Sequence, residues 1–335
     1  MAAALAALLL SGAFVHPAMA DSADGDLYYT TFTGGVNVHT VHYNYDGAST
    51  FSLTNNTGLA STNGADGILF APNGNLLVGG QGFNLNEVKK DGTIVTTVNP
   101  GNPSFHLALT SNASNALVYN VWNGSGGAAI GAVQLSGGGL LSNGVAYTVR
   151  GTNTSNLDVR GVIYNPSNGN WYYGTAPDGG SGDFGTVVFN DVAHTATLTR
   201  LQTGLYAHGL SYDPFTQTVI VNSANYIQQL DGAGNILSFL TGNGPFDQAA
   251  EDGKGHLFAA SNSGYLQFVD YDATGLIGAG ANFTDAPFLA NNLDDIAPLS
   301  GLGSNPVPEP ATNVLMGSGL LALAAFGLLK KRLFA

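Results

Sequence analysis

The strongest constraint on the fold of this chain is a strand–turn–strand pattern that returns along most of its length. In its clearest copy, Ile68–Phe70 and Leu76–Val78 are two apolar runs separated by a Pro-Asn-Gly turn. Asn-Gly favours a hairpin because both residues tolerate positive φ. The copies start at Asp66, Phe105, Arg160, His208 and Asp247. These starts are about 39, 55, 48 and 39 residues apart, which is a repeat period in the range of solenoids and propellers.

This period predicts an all-β propeller, since a unit of about 40–50 residues with four short strands is one propeller blade. Residues 294–299 resemble a first strand without a second, and residues 26–32 resemble a second strand without a first. We expect these two segments to pair, so that the ring closes and no sheet edge stays open. The prediction is a six-bladed propeller over residues 21–303. Seven blades are the alternative, because residues 105–155 are long enough to contain additional strands.

The aligned starts of the copies are candidate functional residues, because the inner strands of a propeller begin near one mouth of its channel. The positions aligned in this way are Asp66, Phe105, Arg160, His208, Asp247 and Asp294. Carboxylate oxygens suit Ca²⁺ or another divalent metal, and a histidine can act as a base. The alternative is structural: these side chains bond to exposed backbone N–H groups and tie the blades together.

The repeat, for example Asp-Gly-Ile-Leu-Phe-Ala-Pro-Asn-Gly-Asn-Leu-Leu-Val, resembles the NHL, streptogramin-lyase and gluconolactonase group of propellers. A streptogramin-lyase-like activity implies a histidine-centred base and a metal, for which His208, His106 and Glu251 are the candidates. A gluconolactonase-like activity implies a divalent metal held by Glu, Asn and Asp. No full set of those ligands can be carried over to this chain. Many propellers of this group bind a ligand or a partner without catalysing a reaction.

The C-terminal region has three parts in a fixed order. Residues 304–312 are rich in proline, which keeps this linker extended. Residues 313–329 carry no charge and predict a transmembrane helix, since about 20 apolar residues span a bilayer. The tail 330–335 begins with Lys330, Lys331 and Arg332, which we expect on the cytoplasmic side.

The N-terminal region predicts export. Residues 1–20 are apolar and end in Ala18-Met19-Ala20, a small-x-small pattern that resembles a signal-peptidase site with cleavage after Ala20. Together with the motif Val307-Pro308-Glu309-Pro310, the C-terminal parts resemble the PEP-CTERM sorting signal of exported Gram-negative bacterial proteins. That resemblance implies recognition by an exosortase in the inner membrane, a transient anchor there, and delivery to the cell surface. An anchor that is never cut is the alternative.

Composition narrows the function classes. The formal net charge is −13, which disfavours nucleic acid as a partner. There is no cysteine, which excludes disulfides, thiolate metal sites and cysteine catalysis. The first hypothesis is a non-enzymatic, cofactor-free exported protein that binds polysaccharide or another protein in an extracellular matrix or biofilm. The alternative is a metal-dependent lyase or lactonase of the propeller class.

Overall fold

The computed structural model describes residues 21–32, 34–100, 104, 106–109, 116–121, 129–136, 139–140, 145–152, 159–176, 181–297 and 299. Every regular element in this part of the chain is a strand, so the all-β prediction is confirmed. No helix in the described ranges has the length and apolar character needed to cross a membrane. The predicted signal peptide with Ala18 and Ala20, and the predicted linker, sorting motif, helix and basic tail, lie outside the described residues.

Four of the sheets have four strands each. The first contains β1 (Ala23–Thr31), β2 (Val38–Tyr45), β3 (Phe51–Ala60) and, at its inner edge beside β1, β25 (Leu293–Ile296). The second contains β4 (Ile68–Phe70), β5 (Leu76–Val78), β6 (Leu85–Val88) and β7 (Ile94–Val98). The two others contain β17 (Gly209–Asp213), β18 (Thr218–Asn222), β19 (Tyr226–Leu230) and β20 (Ile236–Thr241), and β21 (Phe246–Glu251), β22 (His256–Ser261), β23 (Leu266–Asp270) and β24 (Phe283–Asp285).

The fifth sheet has nine strands. It contains β8 (Leu107–Leu109), β9 (Ala116–Val121), β10 (Ala129–Ser136), β11 (Gly139–Leu140), β12 (Val145–Thr152), β13 (Val159–Asn165), β14 (Asn170–Thr175), β15 (Gly182–Asn190) and β16 (Thr195–Leu205). Strands β12 and β16 pair in parallel, with Thr148 opposite Thr195 and Thr152 opposite Thr199. This pairing joins two runs of the repeat into one sheet. The protein is therefore a five-bladed propeller, and the prediction of six blades, with seven as the alternative, is wrong.

The ring closes where the sequence predicts. Strand β25 pairs antiparallel with β1, with Ile296 opposite Tyr29 and Leu293 opposite Thr31. The backbone N–H of Ala297 donates to the carbonyl of Tyr28 at 2.8 Å. Both edges that an open chain of blades would expose are thereby paired.

Apolar side chains from neighbouring blades form the core between the sheets. Phe51 of β3 stacks on Phe268 of β23 with ring centroids 4.2 Å apart, and Phe258 of β22 packs beside them. Tyr45 and Ile296 belong to the same cluster and are fully buried. Burial of each such side chain stabilises the fold by roughly 1.5–3 kcal/mol. This cluster therefore holds the sheet of β1–β3 against the sheet of β21–β24.

Six strands surround the channel axis, because the nine-stranded sheet contributes two of them, β8 and β13, and each of the other four sheets contributes one. Each contacts the next in the order β4, β8, β13, β17, β21, β25, and β25 returns to β4. We call the face where these six strands begin the entry face, and the opposite face, where they end, the exit face. Residues at the start of the inner strands therefore converge on the entry face.

Candidate functional site

The entry face carries a cluster of buried acidic and histidine side chains at the centre of the ring. Each member lies just before or inside an inner strand, so the convergence of these strands brings the side chains together. We call this set the mouth cluster. Its members are Asp66, His106, His208, Asp247, Asp294 and Asp295.

A histidine–aspartate pair forms one half of the mouth cluster. His208 Nδ1 lies 2.5 Å from Asp247 Oδ1, which is a short charge-assisted hydrogen bond. His106 Nε2 lies 3.4 Å from the same carboxylate oxygen, and the two imidazole rings meet edge-on at 5.6 Å. The amide of Asn262 donates to Asp247 Oδ2 at 3.4 Å. Asp247 is thus held from several sides, and it fixes the orientation of His208.

Three further carboxylates form the other half. Asp66, Asp294 and Asp295 each offer an oxygen within 4.8 Å of the other two. Among the described residues, Asp294 Oδ2 and both side-chain oxygens of Asp295 have no hydrogen-bond partner. His106 Nδ1 lies 3.6 Å from Asp295 Oδ1, too far for a hydrogen bond. Burying an anionic oxygen without a partner costs free energy, so we expect a proton or a cation to bind at this site.

The electrostatics of the carboxylates follow from burial and from their mutual repulsion. Burial, and then the charge of Asp247, raise the pKa of Asp66 to about 7. Burial and the neighbouring carboxylates hold the pKa values of Asp294 and Asp295 well above their usual range. Burial alone would also raise the pKa of Asp247, but the charge and hydrogen bond of His208 hold it below its usual range.

The pKa values of the two histidines shift in opposite directions for the same reasons. Burial lowers the pKa of His106 to about 4, which keeps that ring neutral at pH 7. Burial also opposes protonation of His208, yet the Asp247 carboxylate outweighs it and raises the pKa of His208. His208 is 23% exposed, against 3% for His106, so it is the histidine of the pair that reaches solvent. It is the member of the cluster best placed to meet a ligand.

A cleft opens beside the cluster on the entry face. It has a volume of about 270 Å³ and includes Asp66, with Gln81 donating to Asp66 Oδ2 at 3.4 Å. The rest of its wall is neutral, and Phe32 stands at its edge about half exposed. Phe83 and Phe288, in the β5–β6 and β24–β25 connections at this face, are exposed to a similar extent. Apart from Asp66, this cleft is therefore polar and uncharged, and exposed aromatic rings lie around the entry face.

The structure places the predicted site residues as follows. Asp66, His208, Asp247 and Asp294 meet in the mouth cluster, and His106 joins them. Arg160, the second residue of β13, is half-buried and close enough for its charge to lower the pKa of His106. Phe105 lies outside the described residues.

Glu251 does not belong to the site. It ends β21 at the exit face, four residues beyond Asp247, which is about 13 Å along an extended strand. Its buried carboxyl accepts a hydrogen bond from Ser211 at 2.5 Å. The structure therefore does not bring Glu251 together with His208, the residue with which the sequence grouped it.

Asp295 is the residue that sequence reasoning missed. The sequence contains the doublet Asp294-Asp295. Because side chains alternate between the two faces of a strand, the sequence predicts that only one of these neighbours faces the channel axis. The pairing of β25 with β1 shifts register between Tyr29 and Thr31, and this irregularity breaks the alternation. The backbone N–H of Asp295 donates to Thr30 Oγ1 at 3.1 Å.

Solved structures confirm the fold. A periplasmic gluconolactonase of Pseudomonas aeruginosa matches 82% of this chain and 98% of its own with a TM-score of 0.53 and 14% identity. TolB of Acinetobacter baumannii matches 82% of this chain and 66% of its own, with a TM-score of 0.53 and 15% identity. A protein of unknown function from Bacteroides caccae matches 83% and 100%, with a TM-score of 0.52 and 11% identity. These likenesses show the propeller fold alone. No protein-family model and no curated protein matches the sequence.

Proposed function

We propose that the protein binds a divalent cation in the mouth cluster and, with His208, hydrolyses or eliminates a small ester- or lactone-like substrate at the entry face. The observation that carries this proposal is that, within the described part of the chain, Asp294 Oδ2 and both side-chain oxygens of Asp295 are buried without a hydrogen-bond partner. If these residues only held the blades together, we would expect each of their buried oxygens to accept a hydrogen bond.

The donor set fits a hard cation. Asp66, Asp294 and Asp295 supply oxygen ligands, which Ca²⁺, Mg²⁺ and Mn²⁺ prefer. Their spacing of up to 4.8 Å is about twice a Ca²⁺–oxygen distance of roughly 2.4 Å. When bound, such a cation would supply positive charge that polarises a carbonyl oxygen.

His208 is suited to move the proton. Nδ1 is engaged by Asp247, so Nε2 is the remaining ring nitrogen for a reacting group. In a hydrolysis, His208 takes a proton from water as the water oxygen bonds to the acyl carbon. It then returns that proton to the oxygen that leaves. Since protonation blocks the first step, activity should rise as pH passes through the raised pKa of His208.

The substrate class is supported by the cleft and by the fold. A neutral polar wall with Phe32 at its edge suits an uncharged, hydroxylated molecule. The fold likeness to the Pseudomonas gluconolactonase is consistent with this chemistry but too distant to identify the substrate.

A second candidate is an exported binding protein without catalysis. It is favoured by the exposed Phe32, Phe83 and Phe288 around the same mouth, which suit stacking of a polysaccharide or contact with another protein. The PEP-CTERM-like tail, with exosortase processing and delivery to the cell surface, is compatible with either candidate and remains a proposal. The neighbouring aromatic residues Tyr172 and Tyr173 of β14 are fully buried and therefore cannot stack on a sugar.

One experiment separates the two candidates. The full-length protein is freed of metal by a chelator, and binding of Ca²⁺, Mg²⁺ and Mn²⁺ is measured by titration calorimetry, followed by assays on a panel of lactones and esters. Asp295→Asn should weaken cation binding at least tenfold, and His208→Gln should abolish turnover while cation binding stays. Glu251→Gln, which alters a buried carboxyl away from the cluster, is the matched control and should change neither. Cation binding without turnover favours the binding protein, and no cation binding refutes the proposal.

A further inference from the structure

A second polar cluster lies at the exit face, away from the mouth cluster. We call it the exit-face pocket, and its members are Asp252, His256, Asp270, Asp272 and Asn282. His256 is fully buried, and its Nδ1 lies 2.6 Å from Asp252 Oδ2. Asn282 donates to Asp272 Oδ1 at 2.5 Å and to Asp270 Oδ1 at 3.3 Å. Three carboxylates therefore share this pocket with one histidine.

The pocket holds the backbone of Asp21. The main-chain nitrogen of Asp21 donates to Asp272 Oδ2 at 2.9 Å. The main-chain oxygen of the same residue lies 3.1 Å from His256 Nε2, so the buried imidazole donates to it. Both contacts join residues about 235–250 positions apart in the chain. Both involve main-chain atoms of Asp21, so they do not depend on the conformation of its side chain.

The charges of the pocket favour a positive group at this nitrogen. Burial opposes protonation of His256, but Asp252 and Asp270 outweigh it and raise the pKa of His256. Even with that histidine charged, three carboxylates face one cation. Tyr45, from β2, donates its hydroxyl to Asp270 at 2.8 Å and brings no charge. A peptide N–H at Asp21 leaves the pocket negative, whereas an α-ammonium group at the same place supplies a second positive charge.

We propose that the exit-face pocket is a docking site for the processed N-terminus, in which cleavage after Ala20 frees the α-ammonium of Asp21 to pair with Asp272. The cleavage position is the one that the small-x-small pattern predicts. Processing then replaces a neutral peptide N–H donor to Asp272 by a positively charged α-ammonium donor, and it fixes the first residue against His256 and Asp272. This inference is independent of the proposed activity at the mouth cluster.

The test compares one full-length protein before and after a cut. Pro17→Ile, Ala18→Glu, Met19→Gly and Ala20→Arg create a factor Xa sequence that leaves Asp21 as the first residue. The cut protein is treated at pH 7 with an amine-reactive label, folded and in urea, and the label on Asp21 is measured by mass spectrometry. The same is done with Asp272→Asn, which keeps the shape of the pocket and removes the charge. Circular dichroism verifies that each variant is folded.

We expect the folded N-terminus to label about tenfold more slowly than the denatured one, since a rise of one pKa unit leaves a tenth as much free amine. In Asp272→Asn most of this protection should disappear. Cutting should also raise Tm by about 1–3 °C in the parent and not in Asp272→Asn. Equal labelling of the parent and Asp272→Asn overturns the proposal. So does an exported protein whose N-terminus, read by mass spectrometry, is not Asp21.

Discussion

Stability of the cation-free protein should fall as pH rises, because the mouth cluster holds protons that the unfolded chain releases. Asp66 illustrates the size of the effect. Its pKa rises from 3.8 to about 7 on folding, a difference of about 3 units. At about 1.36 kcal/mol per unit, the full penalty for ionising this one group is about 4 kcal/mol.

The sign follows from proton binding. A raised carboxyl pKa means that the folded state binds the proton more tightly than the unfolded state. The free energy of unfolding therefore decreases as pH rises above about 4, and this decrease ends above about pH 7. His106 has the opposite effect: its pKa is lowered to about 4, so stability increases as pH rises from there to its ordinary value of 6.5.

Comparing the parent protein with Asp66→Asn separates the effect of Asp66 on stability from that of His106, because both proteins contain His106. Urea unfolding is measured at pH 5, 6, 7 and 8 with a chelator present, for the parent protein and for Asp66→Asn. The parent should lose about 2–3 kcal/mol relative to Asp66→Asn between pH 5 and pH 7. Saturating Ca²⁺ or Mn²⁺ should reduce that loss, since a cation favours the ionised carboxylate. A difference between the two proteins that stays constant with pH would refute the reasoning.

Three further predictions follow from individual contacts. Ile296→Ala should lower the free energy of unfolding by about 2–4 kcal/mol in guanidinium titrations, because it leaves a cavity where β25 closes the ring. Leu276 is exposed, so Leu276→Ala should change this free energy by less than about 0.5 kcal/mol. Glu251→Gln should change the free energy of unfolding little in the same titrations, since burial holds the pKa of the Glu251 carboxyl well above its usual range and so favours its neutral form; a loss above about 2 kcal/mol would contradict this. Asp247→Asn should lower the pKa of His208, read from its imidazole protons by NMR, because burial then acts without the opposing carboxylate.

Much of the fold was predictable because hairpin chemistry is local. The Pro-Asn-Gly turn after Phe70 forms as expected, with Gly74 at φ 84° and the N–H of Ala71 donating to the carbonyl of Asn75 at 2.7 Å. The incomplete first and last repeats predicted the pairing of β1 with β25 correctly. The turn signal lies within one hairpin, whereas the closure signal comes from comparing the two incomplete repeats with the complete ones.

The number of sheets was not predictable, because the decisive contact is between outer strands of two repeats. The parallel register of Thr148 with Thr195 requires neither a turn motif nor an apolar pattern. The same limit applies to the site. The aligned positions include Asp66 and Asp247, which both lie in the mouth cluster, but the register shift that admits Asp295 arises from pairing with a distant strand.

The two ends of the described chain leave the ring on the same side. Ser22 and Leu299 line one cleft of about 340 Å³, together with Phe70 at the exit-face end of β4. Any tether attached through the segments beyond these residues therefore pulls on the side remote from His208. A propeller held in this way presents its entry face outward, and immobilising it by either end in a binding assay leaves that face free.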